Sequence, residues 1–173
     1  MKKRLFLKAG IATVSMAWLS SCLPGKSDVM AASNGVFEVT KTEEEWRKLL
    51  TSAQFNVLRK HATERSHTSI LDKQYGKGIY ACAGCNLPVF ASQTKFDSGT
   101  GWPSFYDPIK GAIATSIDNS LFGTRIEVHC RRCGGHLGHV FDDGPAPTGK
   151  RYCMKTFFDG YSCGVKSHNH ARA

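Results

Sequence analysis

Three features of the sequence predict a mainly β fold. From Gly76 onward, short apolar stretches alternate with clusters of Gly, Pro, Asp and Asn, the pattern of brief strands broken by turns. Helical periodicity is confined to two short segments before that point, each opened by a capping box. Two Cys-x-x-Cys pairs, Cys82/Cys85 and Cys130/Cys133, each follow a candidate strand and have the ligand spacing of a tetrahedral zinc site, a cross-link suited to a small β domain.

Taken in chain order, Lys2, Lys3 and Arg4 precede an apolar run from Ala9 to Leu19. This is the charged-then-apolar order of a signal peptide, and the run falls short of the roughly 20 residues that a spanning helix needs. Leu19-Ser20-Ser21-Cys22 resembles the lipobox of bacterial lipoproteins, which makes Cys22 the expected lipidated first residue of the mature chain. The alternative is an ordinary cleaved signal with Cys22 incidental. The segment from Lys3 to Lys8 also resembles a twin-arginine export signal with a lysine in place of the first arginine. The expectation is a signal peptide over 1–21, a flexible tether over 22–36, a folded domain over 37–166 and a disordered tail over 167–173. An exported, periplasmic or cell-envelope lipoprotein follows, meeting a membrane only through that anchor.

Thr42-Glu43-Glu44-Glu45 opens the first helix, with Trp46, Leu49 and Leu50 on one face. Thr51-Ser52-Ala53-Gln54 opens the second, with Phe55, Val57 and Leu58 as its apolar stripe; both helices are expected to pack on the domain as a lid. Strands are predicted over 78–81, 88–90, 112–117, 124–129, 140–141 and 151–158, paired antiparallel. Four thiolates fill zinc's shell, so the ion is expected to be structural and the chemistry to lie elsewhere. Cys153 is unpaired and follows His136-x-x-His139, which marks it as the candidate nucleophile.

The formal charge is +9 over 173 residues; 23 basic residues less the four in the leader leave 19 against 14 acidic ones, or +5. Zinc with four thiolates lowers this by about two more. That surface, lacking any run of five like charges, does not point to a nucleic-acid partner.

Longer motifs narrow the reading. Glu44-Glu45-Trp46-Arg47-Lys48-Leu49-Leu50, Thr63-Glu64-Arg65, and the stretch from Phe96 through Asp97-Ser98-Gly99-Thr100-Gly101-Trp102-Pro103-Ser104 to Phe105 come first. His136-Leu137-Gly138-His139-Val140-Phe141 and the run from Gly144 to Cys153 follow. In this order, with both Cys-x-x-Cys pairs, they resemble the B-type methionine sulfoxide reductases.

The resemblance implies two antiparallel sheets with short peripheral N-terminal helices, and reduction of the R epimer of methionine sulfoxide, free or in proteins. Cys153 matches the nucleophile that attacks the sulfoxide sulfur and becomes a sulfenic acid. His136 and His139 match active-site histidines, one of which delivers a proton to the departing oxygen. Arg151, on the nucleophile's strand face, would favour its thiolate, and Asp143 matches an acidic residue expected to orient the network, a role that adjacent Asp142 could exchange with it. Trp102 matches the aromatic wall that receives the sulfoxide methyl group; Phe105 and Lys155 are grouped with it as substrate contacts. Oxidised proteins are the expected substrates, a thioredoxin-like thiol the reductant, and a monomer the expected state.

Two departures stand out. Thr100 occupies a position where many members carry a resolving cysteine. After Cys153 the chain runs Met154-Lys155-Thr156, with Lys155 where an asparagine is usual. Cys163 is the substitute resolving thiol, but if Asp159-Gly160 form a two-residue hairpin turn, Cys163 pairs with Thr156 and faces away from Cys153, roughly 10 Å along the strand. A disulfide wants α-carbons within about 7 Å. The altered stretch also leaves room for an alternative, a zinc-stabilised binding module with impaired catalysis.

Overall fold

The computed structural model describes residues 37–120 and 123–155 and the backbone of 158–162. Both capping boxes form. In α1 (Glu43–Leu49) the Thr42 hydroxyl accepts from Glu45 N at 3.2 Å while the Glu45 carboxylate accepts from Thr42 N at 2.8 Å. Thr51 and Gln54 repeat the exchange at the start of α2 (Ser52–Lys60). Each box satisfies two backbone donors that have no partner within the helix, a contribution of about 1 kcal/mol per cap. Trp46, Phe55, Val57 and Leu58 are buried as the pattern predicts. Leu49 is not: α1 ends there, Leu50 turns into extended backbone, and the Leu49 side chain is left 55% exposed.

The helices lie against the cysteine knuckles and the start of β7. The Arg59 guanidinium sits 4.9 Å from the Trp46 ring and donates to the Cys133 carbonyl at 3.0 Å, which ties α2 to the second knuckle.

Two antiparallel sheets form the body. The smaller has the order β2-β1-β9, with β1 Ile79–Cys82, β2 Pro88–Ala91 and β9 Phe158–Ser162. The larger has the order β3-β4-β8-β7-β6-β5, with β3 Lys95–Phe96, β4 Ser104–Phe105, β5 Ile113–Asp118, β6 Arg125–Cys130, β7 His136–Phe141 and β8 Arg151–Met154. Aromatic rings join the sheets: Phe105 stacks on Phe90 at 4.4 Å and meets Tyr80 edge-on at 4.9 Å, all three fully buried. Phe105 therefore belongs to the core. Its neighbour Ser104 faces the other side of the sheet, so the strand's alternation turns Phe105 away from the face where it was expected as a substrate contact.

The last strand departs from expectation. The predicted single strand over 151–158 stops at Met154, and Phe158–Ser162 crosses to the smaller sheet, pairing Cys82↔Phe158, Ala81↔Asp159 and Ile79↔Ser162. Asp159-Gly160 lies within a strand and makes no hairpin turn, so the parity argument against Cys163 does not apply. Cys163 itself lies outside the described residues, as do Cys22, the leader, the tether and the tail.

Candidate active site

On a regular strand, residues three apart face opposite ways. His136 and His139 nevertheless share a face. Along β6 the pairing steps from Val128↔Gly138 to His129↔His136, so β7 carries one extra residue, Leu137, and the bulge brings His136 round to the side of His139. Their ring centroids are 5.3 Å apart. Gly138 makes this possible: its φ is +149°, and a Cβ there would lie 2.2 Å from the Cys153 carbonyl oxygen.

The register then builds a row of polar groups across the large sheet. Ser104 pairs with Cys153, Cys153 with His139, His139 with Glu127, and Glu127 with Ser116. Directly opposed residues present their side chains on one face with β-carbons about 4.5–5.5 Å apart.

Each histidine is held by a carboxylate that the motif reading missed. His136 Nδ1 lies 2.7 Å from Glu127 Oε1, and His139 Nε2 lies 2.7 Å from Asp118 Oδ2. A carboxylate only accepts, so the proton sits on Nδ1 of His136 and Nε2 of His139, and in the neutral rings the other nitrogen keeps its lone pair. Burial raises Glu127, but hydrogen bonds from His136, His61 and Ser116 overcome it and hold the carboxyl well below its usual range. Asp118 is held low by the bond from His139 and then by the Ser120 N–H, with Arg125 adding to both. Burial pushes His139 below its ordinary value against the pull of Asp118.

Cys153 is 7% exposed. Its Sγ is 4.0 Å from the Thr100 hydroxyl, which joins a chain of hydroxyls through Ser98 (2.8 Å) to Ser104 (2.7 Å). Arg151, two residues back on the same face, is gripped by both oxygens of Asp143 at 2.8 Å. That pairing raises the guanidinium further, against a smaller effect of burial. Asp143 thus acts on Arg151, whereas Glu127 and Asp118 orient the histidines; Asp142 pairs with Lys150. Lys155 Nζ lies 4.6 Å from the centre of the Trp102 ring, whose Nε1 donates to the Glu64 carbonyl at 3.2 Å. Burial pulls Lys155 below the usual lysine range, partly offset by Cys153 and Glu64.

The other four described cysteines form a separate cluster. Cys82 and Cys133 Sγ are 3.7 Å apart, Cys85 and Cys130 Sγ 3.5 Å, and all four sulfurs lie within 4.8 Å of one another. A tetrahedral ion with metal–sulfur bonds near 2.3 Å would set sulfurs about 3.8 Å apart, so the donor set fits a metal ion of that kind. Cys82 ends β1 and Cys130 ends β6, so the cluster joins the two sheets.

The polar alternation of Arg125, Glu127 and His129 along β6 is the signal that could have found Glu127. Asp118 was hidden by its place beside a turn, and His61, beside His136, carried no pattern of its own.

The SelR domain model matches residues 50–158. A peptide methionine sulfoxide reductase MsrB of Methanosarcina barkeri is 56% identical over 119 residues, covering 68% of this chain and 84% of that protein. An MsrB of Leptospira interrogans is 49% identical over 121 residues, covering 69% and 92%. The chloroplastic peptide methionine sulfoxide reductase B1 of Arabidopsis thaliana is 47% identical over 138 residues, covering 79% and 68%. A match of this length and identity, spanning both cysteine pairs, the two histidines and Cys153, means that the chain belongs to the MsrB family of methionine sulfoxide reductases, which are oxidoreductases.

Proposed function

We propose that this protein reduces methionine-R-sulfoxide, in oxidised proteins and as the free amino acid, with Cys153 as nucleophile and an external thiol as reductant. One observation carries the reading: among the described residues, a single buried thiol apart from the metal-type cluster stands directly opposite a carboxylate-held histidine. In the first step Cys153 Sγ attacks the sulfoxide sulfur and the sulfur–oxygen bond of the substrate breaks. The oxygen ends on Cys153 as a sulfenic acid, methionine leaves, and the proton lost by the thiol is returned to the oxygen. His136 and His139 each keep one nitrogen free of its carboxylate and are the groups to carry that proton. Arg151, fixed by Asp143, and Lys155 meet negative charge on the sulfur, and Trp102 offers the sulfoxide methyl group an apolar face.

The sulfenic acid then condenses with a reductant thiol, releasing water, and a second thiol regenerates Cys153. Thr100 offers a hydroxyl at 4.0 Å and no sulfur, and the other described cysteines all belong to the cluster. That supports an external thioredoxin-like donor. The four cysteines would hold zinc, which supplies no chemistry to the reaction and cross-links the sheets.

Export as a lipoprotein rests on the leader and Cys22; acylation lost in Cys22→Ala would support it, and an unacylated parent would refute it. No helix among the described residues is long and apolar enough to cross a membrane.

The test of activity is an epimer-resolved assay with dithiothreitol. The R sulfoxide is consumed, the S sulfoxide is not, and Cys153→Ser abolishes turnover. Turnover surviving that substitution removes Cys153 from the mechanism; sulfoxide binding with no turnover in the parent points to the impaired binding module instead.

A further inference from the structure

We propose that His61, Glu127 and His136 form a second metal site, which takes a first-row divalent transition ion through two imidazole nitrogens and one carboxylate oxygen. The donor atoms lie within 4.8 Å of one another. Both nitrogens converge on one oxygen: Glu127 Oε1 is 2.7 Å from His136 Nδ1 and 3.2 Å from His61 Nδ1. The two rings lie 4.7 Å apart, tilted by 35°.

Three separate elements supply these donors, and each is independently fixed. His61 ends α2 in the left-handed conformation, φ 56° and ψ 27°, with its N–H donating to the Asn56 carbonyl. Glu127 stands on β6 with its second oxygen taking a bond from the Ser116 hydroxyl at 2.8 Å, a supporting contact that aims the first. His136 is 2% exposed and set by the β7 bulge.

Imidazole with a single carboxylate suits zinc, iron, cobalt or nickel, and disfavours magnesium and calcium, which prefer all-oxygen shells. Bonds of 2.0–2.1 Å in a tetrahedral shell set donors about 3.3 Å apart. The His61 spacing already matches; the His136 spacing must open by roughly half an ångström, within reach of side-chain rotation. The ion would replace the protons that both Nδ1 atoms turn toward Oε1. The His61 side chain is 60% exposed, so ions and completing waters enter from that side. An ion here would also occupy a histidine assigned to proton transfer and so slow reduction, a consequence that rests on the proposed function, whereas the site does not.

The test titrates Co2+ into the full-length protein with its cysteine cluster already loaded with zinc, followed by calorimetry and absorption. One equivalent should bind beyond the zinc, with visible d–d bands and no near-ultraviolet thiolate charge-transfer band. His61→Asn, which tolerates the left-handed backbone, should weaken binding roughly tenfold or more, and Glu127→Gln likewise. A His168→Ala/His170→Ala double variant should bind as the parent does. No extra equivalent, a thiolate band, indifference to His61→Asn, or loss in the tail variant would each overturn the assignment. Because binding is read directly, failure of the reductase assay leaves this result intact.

Discussion

Cys153 and His139 face each other across adjacent strands, paired residue to residue in a register that runs on from Cys153 to Ser104. The proposed nucleophile and the candidate proton carrier are thus related by sheet geometry, and whatever disturbs the β7–β8 register moves both together.

Replacing Gly138 tests that register. A methyl group there would meet the carbonyl oxygen of Cys153 at 2.2 Å and the Met154 α-carbon at 3.0 Å, both backbone atoms of β8. Gly138→Ala should cost roughly 2–4 kcal/mol in urea unfolding and lower turnover in what remains folded. A variant as stable as the parent would contradict the packing described.

Asp118 tests the orientation of His139. Its carboxylate fixes the proton on Nε2, whereas an amide could donate to that nitrogen and reverse the tautomer. Asp118→Asn should lower kcat by roughly 10–100-fold with little change in KM. The fold holds this carboxyl below its ordinary 3.8, so it adds stability above that pH and loses it as pH falls through the lower folded value. The variant should therefore be less stable than the parent at neutral pH, with the gap closing below 3.8. A gap that persists in acid would assign the loss to packing.

Cys82 tests the cluster. It is fully buried, ends β1 and pairs with Phe158 of β9. Cys82→Ser should lower bound zinc well below one equivalent and cost several kcal/mol, seen as a fall in Tm. Metal content equal to the parent's would exclude Cys82 as a ligand.

Thr100→Cys tests the recycling step. With the native hydroxyl 4.0 Å from the Cys153 sulfur, a thiol at this position should capture the sulfenic acid, releasing water and leaving an intramolecular disulfide after one equivalent of R sulfoxide. Mass spectrometry of non-reduced peptides would detect the bridge, and its absence would mean that the loop holds position 100 away from the sulfur.

The legible parts of the structure were those with local causes. Both capping boxes formed because each needs only four consecutive residues, and the cysteine pairs clustered because each pair pre-sets half of a tetrahedron. Lys95–Phe96 and Ser104–Phe105 are too short to show a period, so β3 and β4 were missed. β7 reaches back to His136, but its bulge breaks the alternation that would have revealed it. Asp159-Gly160 carries a turn signal that pairing with β1 overrides. Both histidines were found by motif, while Glu127 and Asp118 join them only across strands, a relation that no spacing along the chain records.

The position of β8 limits how electrons can arrive. With β4 on one side and β7 on the other, both edges of the strand are occupied, and Cys153 is 7% exposed. The external thiol proposed above could not reach Cys153 by pairing with β8; it would come down onto one face of the sheet and present a sulfur that projects beyond its own surface. Small dithiols would meet that demand at once, whereas a protein donor would need a prominent cysteine, so on the proposed function the shape of the sheet would select among donors before any chemistry begins.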